Sequence, residues 1–561
     1  MLRLETYILE YGKAYIVVMK YFITMAFIAC KKKDGRAYFC KVESYREAGK
    51  IKQRVLEYYG VRDPRKESNA LPITKKTAVA TYRFGDVALL YRAANSINMI
   101  SLINKYVPKR QGLSLGLELF LTVVHRLLDD KPSSANLSRW VKTTHLPLLL
   151  NFDAERISSN TQAYLMDKLY DKEHNIDHIL RISTELYDKA LPLFGKKDDI
   201  FFYDITSTYF EGKSCMIAKM GYNRDGDLDK LQINIGMVAN GNYGIPLMTK
   251  VFEGNVNDAE TVYEMVYYTK FVIGKEKGLL IMDRGMDSED NIRILDTVRY
   301  DYIVGLRSNH GFVDKLKTKT DADTTDWSSF DNDGESIKIK KFSKNVFGKR
   351  RNIILYYSDS IAKSQSEYRQ IRVNNAVRAL EKVKKLSLKK VEDILNGVKK
   401  YFVYEENKGK VSWRIDKVAI NKAERYDGKF CLITNLDMSA EESYRLYFSK
   451  DIIEKGFRHM KQDIALHPTR KRLVDRVIMD VFICHLAYML LKVTEHQVRQ
   501  KKIDIFWDTI SSETKEIRLL ESSDLKGKRS FQIIPNNEIQ RNIVDVFQLT
   551  DQLPSSLQSQ K

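Results

Sequence analysis

Three carboxylates that lie far apart along the chain have the setting to handle phosphate chemistry together. Asp204 closes the apolar run FFYDIT at 201–206, and Asp283 closes LLIMDRG at 279–285, where Gly285 permits a sharp exit from a sheet. Glu454 belongs to a predicted helix from Glu442 to Ile464, which also carries Tyr447, Lys450, Arg458 and Lys461. At about 100° per residue, these side chains all fall within roughly 40° of Glu454 around the axis. Leu446, Ile453, Phe457, Met460 and Ile464 form an adjoining apolar stripe, able to pack on a sheet and hold the polar face at the edge of a groove. A single acid ringed by cations suits a carboxylate that binds a metal beside groups that grip phosphates.

Three bare carboxylates brought to about 4 Å would repel one another strongly, and a divalent cation resolves that conflict. Oxygen ligands without Cys or His favour Mg²⁺, with Mn²⁺ as a substitute, over zinc. Two such ions about 4 Å apart can activate a hydroxyl and stabilise the leaving oxygen of an in-line phosphoryl displacement. Either aspartate alone reads first as a helix cap or a turn residue. The order of the elements and the basic face around Glu454 favour metal-dependent phosphoryl transfer on nucleic acid. Competing sites fare worse. The chain has no GxGxxG, GxxxxGK[ST] or GxSxG motif. His459 points about 100° away from Glu454. Asp225, Asp227 and Asp229 mimic a calcium loop, but Gly236 stands where the twelfth-position acid belongs. In GYNRDGDLDKLQIN, 221–234, Arg224 and Lys230 flank a turn before a strand, which suits phosphate-backbone contact as well as a plain charged hairpin.

The elements that must position these groups occupy 561 residues, room for three or four domains at roughly 150 residues each. An excess of 93 Lys and Arg over 73 Asp and Glu leaves a charge of +20, which implies an anionic partner, nucleic acid before membrane surface. The five cysteines form no CxxC pair, so neither a zinc site nor a disulfide scaffold is expected, and a reducing, cytoplasmic setting is. The apolar stretch 15–30 is interrupted by Lys20 and is too short for a membrane core of about 30 Å. Met25 opens MAFIACKKKDG, so 1–24 reads as a start-codon artefact or a loose extension, and 1–33 as an amino-terminal extension overall. Residues 34–80 read as a small basic module of two or three short strands, and 81–197 as helical. Short strands and helices then alternate from 198 to 309 in an α/β pattern. Residues 310–440 interrupt it with further strands, a long helix and the basic turn KNVFGKRR at 344–351. Residues 441–500 hold the helix of Glu454 and an apolar helix in which His485 reads as a core residue, and 501–561 read as a tail or small helical region.

Tyr447, Lys450, Glu454 and Lys461 have the spacing Y-x2-R-x3-E-x6-K, with lysine in the arginine place. With YDITSTYFEG around Asp204, MDRGMDSEDN around Asp283, the connecting region 221–261 and YDGKFCLITNLDMSAEE at 426–442, the chain resembles DDE transposases of prokaryotic insertion sequences, in the branch marked by that YREK signature. The likeness spans about 34–500. It implies an α/β fold: an RNase H-like mixed-sheet core in two parts (198–309 and 441–500), a strand-rich insertion at 310–440 and a helical amino-terminal region that helps bind DNA ends. Asp204, Asp283 and Glu454 would be the catalytic acids and would hold two metal ions. Tyr447, Lys450, Arg458 and Lys461 would contact DNA, as would Arg224 and Lys230. Partners would be double-stranded DNA, both terminal inverted repeats and target, with a dimer in the DNA complex, no membrane, and a nucleoid-associated location. A nuclease that cuts without joining, or a catalytically silent DNA-binding descendant, are the alternatives.

Overall fold

The computed structural model describes residues 4–553 except 12–13, 22–25, 34–35, 48–49, 62–76, 110, 130–131, 172–175, 196–199, 212–214, 222–229, 320–326, 384, 408–409, 467, 470, 502–506 and 525–526. Its contacts divide into two units, Met1–Val79 with Ser522–Ser530, and Ala80–Glu521 with Phe531–Lys561. In the first, Leu4–Tyr11 pairs antiparallel with Ala14–Tyr21, and Ala26–Lys33, Arg36–Glu47 and Lys50–Gly60 form an antiparallel sheet. The last two strands, of 12 and 11 residues, are longer than the short strands expected. Two register shifts, at Phe39/Cys40 and Lys41/Val42, let the ladder continue past irregularities. Alternation turns Cys40 and Val42 inward.

The second unit is built on one nine-stranded sheet. Its strands are β1 (Ile200–Tyr209), β2 (Gln232–Asn240), β3 (Pro246–Glu253), β4 (Leu279–Met282), β5 (Asp301–Leu306), β6 (Ser328–Asn332), β7 (Glu335–Val346), β8 (Lys349–Tyr357) and β9 (Lys429–Thr434). They lie in the order β3-β2-β1-β4-β5-β9-β8-β7-β6. β1 to β3 form an antiparallel meander, and β4 and β5 run parallel to β1. Helices α1 (Asp258–Tyr267) and α2 (Glu289–Val298) make the crossovers that parallel strands require. Three antiparallel strands followed by two parallel ones is the RNase H-like arrangement. The fold is therefore mixed α/β, with this core inside a wider sheet. β2 (QINIGMVAN) is buried along its whole length, and its three polar residues, Gln232, Asn234 and Asn240, donate to Gly254, Val256 and Tyr187 oxygens.

The stretch after β5 returns to the same sheet. β9 pairs antiparallel with both β5 and β8, and β7 and β6 follow outward. Between β8 and β9, residues 359–425 close a small core of their own around Val373, Leu380, Val391, Leu395 and Phe402. The β7–β8 turn carries Phe347 and Gly348, both at positive φ, as a two-residue turn between twisted strands requires. Of the basic residues in that turn, Lys344, Lys349 and Arg350 are exposed. Arg351 is not: it is buried, donates to the Tyr302 hydroxyl at 2.7 Å and pairs with Asp296. One of the four basic residues of that turn is thus a structural anchor.

Helices α3 (Ala440–Phe448), α4 (Asp451–Gln462) and α5 (Val474–Gln500) follow β9. α5 is apolar around its circumference because it is surrounded. It packs on β3, on α4 and on the helix Leu115–Leu128, joining the amino-terminal helical region to the sheet in one core. The helix is long and apolar enough to cross a membrane, but 89% of that window is buried within the protein. Ile510, Ile517, Leu519, Ile543 and Phe547 share a second core with Phe84, Ala88 and Leu89.

His485 on α5 is fully buried, and burial pushes its imidazole down from about 6.5 to about 3. The unfolded chain therefore takes up a proton, as pH falls below about 6.5, that the folded one refuses. His485 should cost stability progressively from about pH 6.5 toward pH 3, by up to about 1.4 kcal/mol per pH unit. Urea midpoints at pH 7, 6 and 5 should fall less steeply in His485→Leu than in wild type. An unchanged slope would remove His485 as the cause.

Candidate functional site

Strand register sets the first two acids side by side. In the parallel β1–β4 pair Tyr203 is opposite Met282, so the next residues are Asp204 on one strand and Asp283 just past the end of the other. β5 continues the row, with Val304 opposite Met282 and Gly305 next. Asp204 does not end its strand, as its apolar run suggested. It is the fifth of ten residues, because Thr206 and Thr208, β-branched residues that favour strands, carry the pairing with β2 on to Tyr209. Asp283 leaves the sheet through the tight turn Arg284–Met286.

The predicted helix 442–464 is two helices. Between α3 and α4 the bonds across Ser449 and Lys450 tighten to three-residue spacing, with Lys450 N–H donating to the Tyr447 carbonyl at 3.4 Å and Ile452 N–H to that of Ser449 at 3.2 Å. The break does not part Tyr447 from Lys450, since both side chains reach Asp283 Oδ1. The Tyr447 ring is buried, and its hydroxyl donates to Asp283 Oδ1 at 2.9 Å. Gly305 makes this possible, since a Cβ there would lie 2.4 Å from the tyrosine oxygen. Tyr447 thus holds a carboxylate from within the protein. Burial first, then the Asp283 charge, pushes its phenol well up, so it stays a donor.

Lys450 joins the acids. Its Nζ lies 3.0 Å from Asp283 Oδ1 and 3.1 Å from Glu454 Oε1, within electrostatic reach of Asp204. Burial opposes its charge, but Asp283, Asp204 and Glu454 outweigh that and raise it. Burial would likewise lift Asp283, yet Lys450, Tyr447 and the Arg284 N–H hold it below the ordinary carboxylate range. Among the described residues no three Asp, Glu, His or Cys side chains close into a ready metal cage. The donor set nevertheless fits a hard divalent cation: all its ligands are carboxylate oxygens, and a cation already sits among them.

The remaining candidates separate. Glu454 and Arg458 on α4 are exposed, and Lys461 is half-buried. The apolar stripe packs as expected, with Ile453, Phe457, Met460 and Ile464 buried. His459 pairs with Asp463 at 2.5 Å, away from the acids. Lys230 lies exposed over the Tyr209 ring at 3.9 Å. Arg224 and the cluster Asp225, Asp227 and Asp229 fall outside the described residues. Asp287 went unnoticed in the sequence although it stands four residues past Asp283. Its buried carboxylate accepts from the Arg307 N–H at 2.5 Å, the Arg307 side chain and His310 at 3.1 Å, tying the loop after β5 to the turn after β4.

The model of the transposase DDE domain matches residues 195–490, just over half of the chain. The chain belongs to the DDE transposase family. The match encloses Asp204, Asp283 and Glu454 together with β1 to β9. A cryo-EM structure of the piggyBac transposase synaptic complex with hairpin DNA is similar over 84% of this chain and 86% of that one, at 10% identity and a TM-score of 0.39. No curated protein matches this DDE transposase in sequence.

Proposed function

We propose that this protein is a DNA transposase of the prokaryotic insertion-sequence type, in the YREK branch, that cuts at the ends of its element and joins the freed 3′ hydroxyls to target DNA. The observation that carries this is the register that brings Asp204 and Asp283 abreast, with Glu454 drawn to the same ammonium as Asp283. Asp204, Asp283 and Glu454 would hold Mg²⁺ or Mn²⁺, two ions in the working complex. Bound there, such ions make a nucleophile of water or of a 3′ hydroxyl and steady the leaving oxygen. The protein's own part is positional. Tyr447 fixes the Asp283 carboxylate, and the Asp287 cluster braces the neighbouring loop. Arg458 and Lys461 grip backbone phosphates beside Glu454, and Arg224 and Lys230 contact DNA as well. The net charge of +20 suits double-stranded DNA, both inverted-repeat ends and target. Pairing two ends calls for a dimer in the DNA complex. Cytoplasmic, nucleoid-associated residence follows from the substrate.

The test is purified protein with labelled element-end DNA, target plasmid and Mg²⁺. Joined products support transposition, cleavage without joining would make the protein a nuclease, and binding without either would make it a silent descendant. In the same system Arg458→Ala and Lys461→Ala should each lower the salt dependence of binding by about one unit of slope, on specific and nonspecific DNA alike. A loss confined to one sequence at unchanged slope would assign them to base reading.

A further inference from the structure

We propose that the Lys450 ammonium is a built-in counter-cation that keeps the catalytic carboxylates assembled before a divalent ion binds, and that it must withdraw for the ion to enter. This rests on the reading that those carboxylates hold the metal. The ammonium touches Asp283 at 3.0 Å and Glu454 at 3.1 Å, with Asp204 within electrostatic reach. Its side chain is only 17% exposed, and the Tyr447 ring flanks it at 5.4 Å from Nζ to ring centre. It therefore lies where an ion shared by Asp283 and Glu454 would lie, and two cations cannot occupy that place together.

The chain is suited to such an exchange. Lysine carries a compact charge on a flexible four-carbon stem, whereas arginine's planar fork commits to a fixed geometry. Lys450 also leads off from the backbone break between α3 and α4, where the helical ladder is already interrupted. DNA phosphates bound beside the acids would offer the ammonium another anion. End-DNA binding and ion binding would then favour each other, each removing what opposes the other.

The experiment needs no turnover. Wild type, Lys450→Met, Lys450→Gln and Asp283→Asn are titrated with Mn²⁺ without DNA, following thermal unfolding from a chelator-treated start. Lys450→Met should unfold at a lower temperature than wild type without metal, because its acids repel, and should reach half-maximal stabilisation at Mn²⁺ concentrations at least about tenfold lower. Lys450→Gln, which keeps a polar head, should shift the same way and serves if the methionine variant folds poorly. Unchanged or weaker Mn²⁺ binding in both variants would overturn the proposal. Asp283→Asn separates this from the reading beneath it. If wild type responds to Mn²⁺ and Asp283→Asn does not, the carboxylate site stands whatever the lysine variants do. If the two respond alike, the site falls and the proposal with it.

Discussion

Asp283→Asn should abolish DNA cleavage and joining while leaving end-DNA affinity unchanged or slightly tighter, and Asp204→Asn and Glu454→Gln should do the same. The substitutions keep shape and remove charge, so the β1–β4 register and the α3–α4 packing persist. What disappears is a carboxylate needed for a divalent ion in a site already crowded with cations. Loss of an outer partner of a metal ligand costs about 10–100-fold, so loss of a ligand itself should exceed about 100-fold. Binding escapes because Arg458 and Lys461 are untouched, and removing a negative charge near phosphates helps if anything. Gel-shift and joining assays on the same preparations check both halves. Activity within about tenfold of wild type for any one variant would take that residue out of the site.

Asp480→Ala should destabilise the fold by about 3–5 kcal/mol. Asp480 on α5 pairs with Arg126 of the helix Leu115–Leu128, and both side chains are largely buried. The Arg126 guanidinium also donates to the Ala465 carbonyl at 3.2 Å, just beyond the end of α4. One buried cation thus ties the amino-terminal helices, the central helix and the catalytic helix together. Alanine would leave that charge unpaired, which costs far more than the pair itself gains over an apolar contact. Arg126→Met combined with Asp480→Leu should recover most of the loss. Urea or thermal unfolding measures all three proteins. A cost for Asp480→Ala below about 1 kcal/mol, the range of an exposed pair, would contradict the arrangement.

The parts of this site that could be read from sequence are those whose signal is local. Asp204 and Asp283 stand out because apolar runs lead into them, and the stripe from Ile453 to Ile464 because its spacing is helical. What escaped depends on partners distant in the chain. The wheel from Glu442 to Ile464 assumed an unbroken helix, and periodicity cannot register a tightened turn at Ser449–Lys450. Gly305 reads as an ordinary strand residue until the register sets it beside Asp283 and the tyrosine needs its empty place. Lys450 looked like a phosphate grip because its place beside Glu454 is local but its reach to Asp283, 167 residues back, is not. Residues 510–549 gave no hint that they complete a core around Phe84, since that pairing closes a loop of more than 400 residues.

Iron-directed cleavage of the protein backbone asks whether the three acids form one metal site. Fe²⁺ loaded in place of Mg²⁺, with ascorbate and peroxide, releases radicals that cut the chain only near the ion. Fragments identified by mass spectrometry should end beside Asp204, beside Asp283 and within Lys450–Glu454, and all three cuts should weaken together in Glu454→Gln. Cuts at only one of these places, or a pattern unchanged by Glu454→Gln, would contradict a shared site.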